Sequence, residues 1–345
     1  MEKVATSISA SIIGASGYSG AELMKILLRH KQVKIEKLFA NTSVGKRVAD
    51  LYPWFGGRVD SAYEQYSVDA ACTSDIVFVA LPSGEAMNMV PELLDRGKRV
   101  IDLGGDFRFT DSTLYEKFYN HEHKAKNILR QAVFGLPEWN REQLKSAALV
   151  ANPGCYATSA ILPLAPVLKE GIVQSRGISI SSLSGVSGAG RSSSVDYSFA
   201  EVNESVKAYK VGVHQHTPEI KTTLEKISGT SVSLTFVPHL LPITRGIYTT
   251  IYAPLEKQVT PGEVLASFQK YYANEPFIRI SETAIPEIKN VNYTNFLDIG
   301  FRVHTDNNQL IILSVIDNLI KGAAGQAVQN MNLMFGFNET EGLLS

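Results

Sequence analysis

Ser7-Ile8-Ser9-Ala10-Ser11-Ile12-Ile13, Gly14-Ala15-Ser16-Gly17-Tyr18-Ser19-Gly20 and Ala21-Glu22-Leu23-Met24-Lys25-Ile26-Leu27-Leu28-Arg29-His30 follow one another as strand, glycine loop and helix. Positions 23, 26, 27 and 30 repeat at helical spacing and would face a sheet. Gly14, Gly17 and Gly20 permit a tight turn and a close backbone approach, and the helix start offers unbonded N–H groups to a pyrophosphate. The spacing differs from the commonest fingerprint, in which one residue separates the first two glycines. The plainer alternative is a glycine turn that packs helix on strand and holds no ligand.

Working outward, a second strand is expected over 33–40, ending in the polar loop Asn41-Thr42-Ser43-Val44-Gly45-Lys46-Arg47. Asp75-Ile76-Val77-Phe78-Val79-Ala80-Leu81 is a continuous apolar run, the pattern of a strand buried on both faces. Pro82-Ser83-Gly84 ends it, a helix is expected over 85–96, and another buried strand over 99–103 closes at Gly104-Gly105-Asp106. Strands alternating with helices predict an α/β fold, a doubly wound parallel sheet of Rossmann-like type. After about residue 152 the pattern changes. Runs at 178–183, 232–237, 246–252 and 310–315 alternate as in a half-exposed antiparallel sheet, with a Ser/Gly-rich loop over 184–194. A small-residue helix over 320–335 is expected to return to the first domain. The expected division is therefore 1–151 plus 316–345 as a dinucleotide-binding domain, and 152–315 as an α+β catalytic and oligomerisation domain.

The composition is that of an ordinary soluble globular protein. A length of 345 residues suits two cores rather than one. A net charge of −1, from 33 basic and 34 acidic residues, supplies no general attraction to nucleic acid or to an anionic membrane. No apolar run reaches the roughly 18 residues of a bilayer span. Two cysteines exclude a disulfide scaffold and a cysteine-rich metal centre. A glycine fingerprint beginning at Gly14 leaves no room for a signal peptide, so a cytoplasmic location is expected.

Cofactor choice is read at the end of the second strand. An acidic residue there would accept from a ribose 2′-hydroxyl and repel a 2′-phosphate. The loop instead carries Thr42 and Ser43, then Lys46 and Arg47, which favours NADP; the alternative is that the two cations are simply solvated.

Ala151-Asn152-Pro153-Gly154-Cys155-Tyr156-Ala157-Thr158-Ser159-Ala160 places a cysteine in the first turn of a helix after a Pro-Gly turn. The dipole and the unbonded N–H groups there favour thiolate and can hold an oxyanion. Cys155 is therefore a candidate nucleophile, although most unpaired cysteines are small buried hydrophobes. Cys72 has no such setting and reads as structural. Gly212-Val213-His214-Gln215-His216-Thr217-Pro218-Glu219-Ile220 offers a proton partner in His214 or His216. Two histidines separated by one residue also suit a metal on a strand, but no matching ligand cluster exists, so no metal is expected. His121, His123, His239 and His304 lie in less distinctive settings. Arg108, Arg191 and Arg245 lie near expected loops, where guanidinium forks could hold an anionic substrate; each alone could equally be an ordinary surface arginine. A nucleotide fold with a cysteine and a histidine implies acyl transfer to the thiol followed by hydride reduction to an aldehyde.

The strings Gly14-Ala15-Ser16-Gly17-Tyr18-Ser19-Gly20-Ala21-Glu22-Leu23, Asp102-Leu103-Gly104-Gly105-Asp106-Phe107-Arg108, Gly135-Leu136-Pro137-Glu138, Asn152-Pro153-Gly154-Cys155-Tyr156-Ala157-Thr158 and His214-Gln215-His216-Thr217-Pro218-Glu219-Ile220 resemble the N-acetyl-gamma-glutamyl-phosphate reductase family, as does the closing run Asp317-Asn318-Leu319-Ile320-Lys321-Gly322-Ala323-Ala324-Gly325-Gln326-Ala327. The resemblance spans nearly the whole chain. It implies NADPH-dependent reduction of N-acetyl-L-glutamyl 5-phosphate to the 5-semialdehyde and phosphate, in arginine biosynthesis. It implies Cys155 as nucleophile and one of His214 and His216 as acid/base, with His214 preferred. It also implies cofactor contacts from the glycine loop with Ser16, Tyr18 and Ser19, from Ser83 and Gly84, and from Asn318 through Gly322. Asn152 joins Arg108, Arg191 and Arg245 among the substrate contacts, and a homodimer or homotetramer is joined through the second domain's sheet. Ser159 departs slightly from the family, where glycine or alanine is more usual. Three rivals stand beside this reading: the related reductase of lysine biosynthesis with a carrier-linked aminoadipyl phosphate, aspartate semialdehyde dehydrogenase, and a non-catalytic NADP-binding redox sensor. One methylene of substrate is worth only about 1–3 kcal/mol in a pocket, so inspection does not separate the first of these.

Overall fold

The computed structural model describes residues 7–191 and 194–344, and its chain divides into two compact units, Met1–Pro153 with Ala323–Ser345, and Gly154–Gly322. Asn152 and Pro153 thus stay with the first unit, because the Asn152 side chain donates to Ala323 O (3.1 Å) and accepts from Asn330 Nδ2 (3.1 Å). Residues 316–322 stay with the second, since the Asp317 carboxylate and the Asn318 side chain bond Arg245 and the Gly246 amide.

In the first unit, β1 (Ile8–Ile13), β2 (Val33–Phe39), β3 (Ile76–Val79), β4 (Arg99–Asp102), β5 (Ala132–Phe134) and β6 (Leu149–Ala151) form one parallel sheet, in the order β2-β1-β3-β4-β6-β5. The apolar run of β3 is wholly buried, as a central strand covered on both faces must be. Strand order reverses between β1 and β3, and the crevice beyond the carboxyl ends of such strands is where open α/β sheets bind ligands. The first helix, Tyr18–Leu27, begins earlier than its apolar spacing suggests, with Gly17 as N-cap and Gly20 inside its first turn. The segment read as one helix over 85–96 is a 3-10 turn, Ala86–Asn88, followed by a helix, Val90–Asp95. Pro91 has no N–H to continue a helix from the preceding turn, so it is tolerated only in a first turn. The returning helix is Gly325–Phe335, preceded by a π-helical turn, Ile320–Ala324, and it packs on the helices Tyr18–Leu27 and Pro137–Lys145.

The second unit is built on β7 (Ile178–Gly185), β8 (Lys207–Ala208), β9 (Leu234–Leu241), β10 (Ile247–Pro254), β11 (Ile278–Ser281), β12 (Leu297–His304) and β13 (Gln309–Ile316), in the order β11-β12-β13-β10-β7-β9-β8. The expectation of an antiparallel sheet needs correction. The pairs β7–β9 and β11–β12 are parallel, so the sheet is mixed. The link from β7 to β9 contains the helix His216–Ser228, which gives the long crossover a parallel pair requires. Of the stretch read as a loop over 184–194, Ser184 and Gly185 end β7 and Val186–Ala189 form a 3-10 turn; 192 and 193 lie outside the described residues.

The helices His216–Ser228 and Pro261–Tyr272 both pack on the helix Cys155–Lys169, which itself packs on β10 and β13. The helix Pro261–Tyr272 was not read from the sequence, yet its capping box is legible there: Thr260 and Glu263 bond each other's backbone N–H groups, with Pro261 at the first position. Buried hydroxyls tie the helix Cys155–Lys169 to the sheet. Ser182 Oγ meets Thr249 Oγ1 at 2.8 Å, Thr249 Oγ1 meets Ser159 Oγ at 2.9 Å, and Ser314 donates to Ser159 O. The departure at Ser159 is thus a hydrogen-bonded one.

Candidate active site

Cys155 is the first residue of its helix, after Gly154 as N-cap, in the position the Pro-Gly turn predicts. Gly154 donates its N–H to Glu219 Oε1 at 2.8 Å. The His216 ring lies directly against Gly154: a Cβ there would sit 2.3 Å from Nε2 and 2.7 Å from the two adjacent ring carbons. Glu219 is wholly buried, and its other oxygen lies 3.9 Å from His216 Nε2. On another side of the cysteine, a Cβ on Gly322 would meet Cys155 Cβ at 2.7 Å. Cysteine, histidine and a buried carboxylate therefore meet around one glycine turn.

His214 and His216 do not lie on a strand. His214 sits in the turn before the helix that His216 opens. His214 is boxed edge-on by Tyr156, Tyr209 and Phe236, and its Nδ1 accepts the His216 N–H at 3.1 Å. Burial, helped by the Lys210 charge, pushes its pKa down to about 3. An imidazole so buried stays neutral through the physiological range. Tyr156 and Tyr209 share a hydroxyl–hydroxyl hydrogen bond of 2.9 Å, and burial raises both phenols.

Arg245 is held by an ion pair and an aromatic ring. Its Nη1 meets Asp317 Oδ2 at 3.1 Å, and its guanidinium lies 4.6 Å from the Tyr293 ring centroid. Asn318 is almost wholly buried, accepting from Gly246 N and donating to Ser187 Oγ, so its side chain ties two loops together. Arg191 is exposed at the last described residue before 192.

In the first unit, the glycine loop is a close-fitted cradle. Gly14 has φ +85°, and a Cβ on it would lie 2.3 Å from Ala80 O, just past β3. A Cβ on Gly20 would lie 2.5 Å from Gly14 O. Gly17 carries no side-chain cap, so the first turn with Tyr18 and Ser19 keeps N–H groups of the kind that bind phosphate, and Ser16 precedes it with its carbonyl accepting from Tyr52. These features fit a dinucleotide pyrophosphate. At the end of β2, Thr42 and Lys46 are exposed whereas Ser43 is buried. Arg47 lies 3.7 Å from Asp60, an exposed pair of the kind that contributes little.

The Pro82–Gly84 loop is held from below by Asp106. That buried carboxylate accepts from Gly84 N (2.7 Å), Met87 N (3.0 Å) and the Tyr115 hydroxyl (2.9 Å), while Ser83 Oγ accepts from Gly105 N. Arg108 is turned inward. Its Nε donates to Asn152 O (2.9 Å) and its Nη2 to Leu103 O (3.0 Å), so these nitrogens hold the ends of β4 and β6. Asn152 is wholly buried among its own partners.

Asp102, at the end of β4, is wholly buried, and its Oδ2 has no hydrogen-bond partner among the described residues. Burial, with the nearby Asp106, pushes its carboxyl up to about 7. Between the ordinary carboxylate value and about 7 the folded chain retains a proton that the unfolded chain has released, so stability falls as pH rises through that window. Asp102→Asn is expected to remove this slope. The variant's melting temperature relative to the parent should climb from about pH 4 to about pH 7 and then level off. A constant difference across that range, measured by calorimetry, would mean that Asp102 does not carry the proton.

Glu219, Asp102, Asp106 and Asp317 were not singled out from the sequence. For Glu219 the available signal was its place one helical turn after His216; for Asp317, its place in the closing motif.

Residues 9–147 match the domain described as "Semialdehyde dehydrogenase, NAD binding domain", and residues 155–318 match "Semialdehyde dehydrogenase, dimerisation domain". The chain is 48% identical over 338 residues to an N-acetyl-gamma-glutamyl-phosphate reductase from Pelotomaculum thermopropionicum, covering 97% of each chain. It is 47% identical over 339 residues to the protein of the same name from Desulfotalea psychrophila, covering 97% of this chain and 98% of that one. Solved structures with a similar fold include aspartate semialdehyde dehydrogenase II from Vibrio cholerae in complex with ASA, with TM-score 0.72 and 17% identity over 95% of this chain and 98% of that one. Another is aspartate semialdehyde dehydrogenase with NADP from Candida albicans, with TM-score 0.71 and 15% identity over the same shares. At such identities the likeness concerns the fold alone.

Proposed function

The chain belongs to the N-acetyl-gamma-glutamyl-phosphate reductase family, an oxidoreductase of arginine biosynthesis acting on a phosphorylated acyl substrate with a nicotinamide cofactor, and on that premise we propose that it works through a Cys155 thioester, with His216 as acid/base and NADPH as reductant. The observation that carries this is the packing of the His216 ring on Gly154, immediately before the cysteine. His214 is the poorer candidate, because an imidazole with a pKa near 3 has no proton to give at neutral pH.

The Cys155 sulfur attacks the acyl carbon of N-acetyl-L-glutamyl 5-phosphate, and the C–O bond to phosphate breaks as the C–S bond forms. His216 takes the thiol proton. NADPH, when bound, supplies the hydride that reduces the thioester carbonyl. His216 lends its proton to the oxygen of the Cys155 thiohemiacetal and recovers it as the C–S bond breaks, which releases N-acetyl-L-glutamate 5-semialdehyde and restores the thiolate. The helix N–H groups beside Cys155 stabilise the developing oxyanion. The Gly14–Gly20 loop would hold the pyrophosphate. Arg245, held by Asp317 and Tyr293, would offer its guanidinium to an anionic substrate group.

For the 2′-phosphate the assignment rests on Thr42, Lys46 and Arg47. Replacing Lys46 and Arg47 together by alanine should raise KM for NADPH by about tenfold while leaving that for NADH nearly unchanged. Equal shifts in steady-state kinetics with the two cofactors would remove this basis for NADP.

The dimerisation unit leaves one face of its sheet half-exposed, where Leu183 and Tyr248 pair across β7 and β10, and Tyr252 pairs with Ile311 across β10 and β13. This face would seat a second copy, in a homodimer or homotetramer. Neither cysteine is in a disulfide, which suits the reducing cytoplasm.

The assay that tests the proposal runs in the oxidising direction with NADP, phosphate and N-acetylglutamate semialdehyde. NADPH formation that requires phosphate supports it. NADPH formation with equal rates in the absence of phosphate would contradict it.

A further inference from the structure

We propose that Glu219 is a positioning residue that joins the acid/base histidine to the cysteine turn, through one oxygen on the Gly154 amide and the other beside His216. The inference rests on the reading of Cys155 and His216 given above. Three observations carry it. Glu219 is wholly buried, and an ionised carboxylate is expensive to bury unless its environment repays it. Its Oε1 accepts the Gly154 N–H at 2.8 Å, which fixes the residue that presents Cys155 to the helix start. Its Oε2 lies 3.9 Å from His216 Nε2, on the same helix and one turn along. A carboxylate there stabilises the imidazolium formed when His216 takes the thiol proton.

The other titratable groups facing His216 come from elsewhere. Tyr156 from the cysteine helix has its ring centroid 5.8 Å away, and His214 from the preceding turn lies at 4.8 Å. Cys155 follows the glycine on which the ring rests, and Lys210 acts on His214. The carboxylate that faces the ring is that of Glu219.

Glu219→Gln keeps an acceptor for the Gly154 amide and removes the charge. Its kcat is expected to fall about 100-fold with KM changed little. The pKa on the acid side of the kcat/KM profile should move down by about one unit or more, because His216 loses its counter-charge. Glu219→Asp keeps the charge but shortens the reach to Gly154, so kcat should fall while the acid limb stays near its original place. Cofactor affinity and the melting curve, measured on both full-length variants, separate these effects from unfolding. A Glu219→Gln profile that is lowered throughout but not displaced would overturn the proposal, as would unchanged kcat. If Glu219→Gln does not fold, a displaced acid limb in Glu219→Asp would overturn it on its own. Failure of the parent protein in the phosphate-dependent assay would instead refute the underlying reading, so the two failures are distinguishable.

Discussion

Cys155→Ser is expected to lower kcat by at least about 10⁴-fold while NADPH affinity stays within about twofold of the parent. The exchange of sulfur for oxygen is nearly isosteric at the first position of the helix, and it leaves the Gly154–Glu219 and Gly154–His216 contacts in place. What it removes is a group that ionises readily beside a helix N-terminus. A serine hydroxyl in the same place is almost never an alkoxide near neutral pH. The glycine cradle that would hold the cofactor belongs to the other compact unit. A parallel loss of turnover and cofactor affinity, read by single-turnover kinetics and by titration of NADPH fluorescence, would mean that the cysteine is structural.

Gly154→Ala is expected to lower kcat by about 100-fold without unfolding the protein. Gly154 has φ −69° and ψ 152°, a conformation alanine adopts freely, so the backbone is not strained by the change. The three atoms nearest to the added methyl all belong to the His216 ring, with Nε2 at 2.3 Å. The ring must move by a large fraction of an ångström, away from the place it holds beside the cysteine turn. Because the severest clash falls on that ring, the variant bears first on the position of His216. A Gly154→Ala enzyme with parental kcat would show that the ring's position is not used in catalysis.

The first unit was largely legible in the sequence because its signals are local. A strand buried on both faces must be apolar throughout, as Ile76 to Val79 are, and a tight strand-to-helix turn must carry glycine where Gly14 has φ +85°. The start of the first helix was misplaced because its first turn, Tyr18-Ser19-Gly20, carries no apolar periodicity; Gly20 is helical because its missing side chain lets the helix rest on Gly14 O. The second sheet was harder to read. Alternation in a strand has the same period whether its neighbour is parallel or antiparallel, so β7 and β9 gave no hint of their direction. β12 lies outside the expected strands, although Leu297, Ile299, Phe301 and Val303 alternate with Asp298, Gly300, Arg302 and His304 as a half-exposed strand does.

The place of Cys155 at a helix start was legible from sequence because a Pro-Gly turn before a helix is a local feature. The choice between His214 and His216 turns on their surroundings in the fold. It depends on Tyr156, Tyr209 and Phe236 surrounding one ring and Glu219 standing beside the other, and those neighbours are distant in the chain or ambiguous within it. Arg108 shows the same limit in reverse. Sequence displays its charge, whereas the structure turns its Nε and Nη2 onto the carbonyls of Asn152 and Leu103.

The proposed mechanism requires an acyl group carried by Cys155, and that species can be isolated. Protein mixed with NADP and N-acetylglutamate semialdehyde, with phosphate withheld, should form NADPH in a single burst of one equivalent per chain and then stop. Mass spectrometry of the acid-quenched digest should place one N-acetylglutamyl group on the Cys155 peptide, labile to hydroxylamine, and adding phosphate should discharge it. A burst with the acyl group on another residue, or steady NADPH formation without phosphate and without any acylated peptide, would contradict the account.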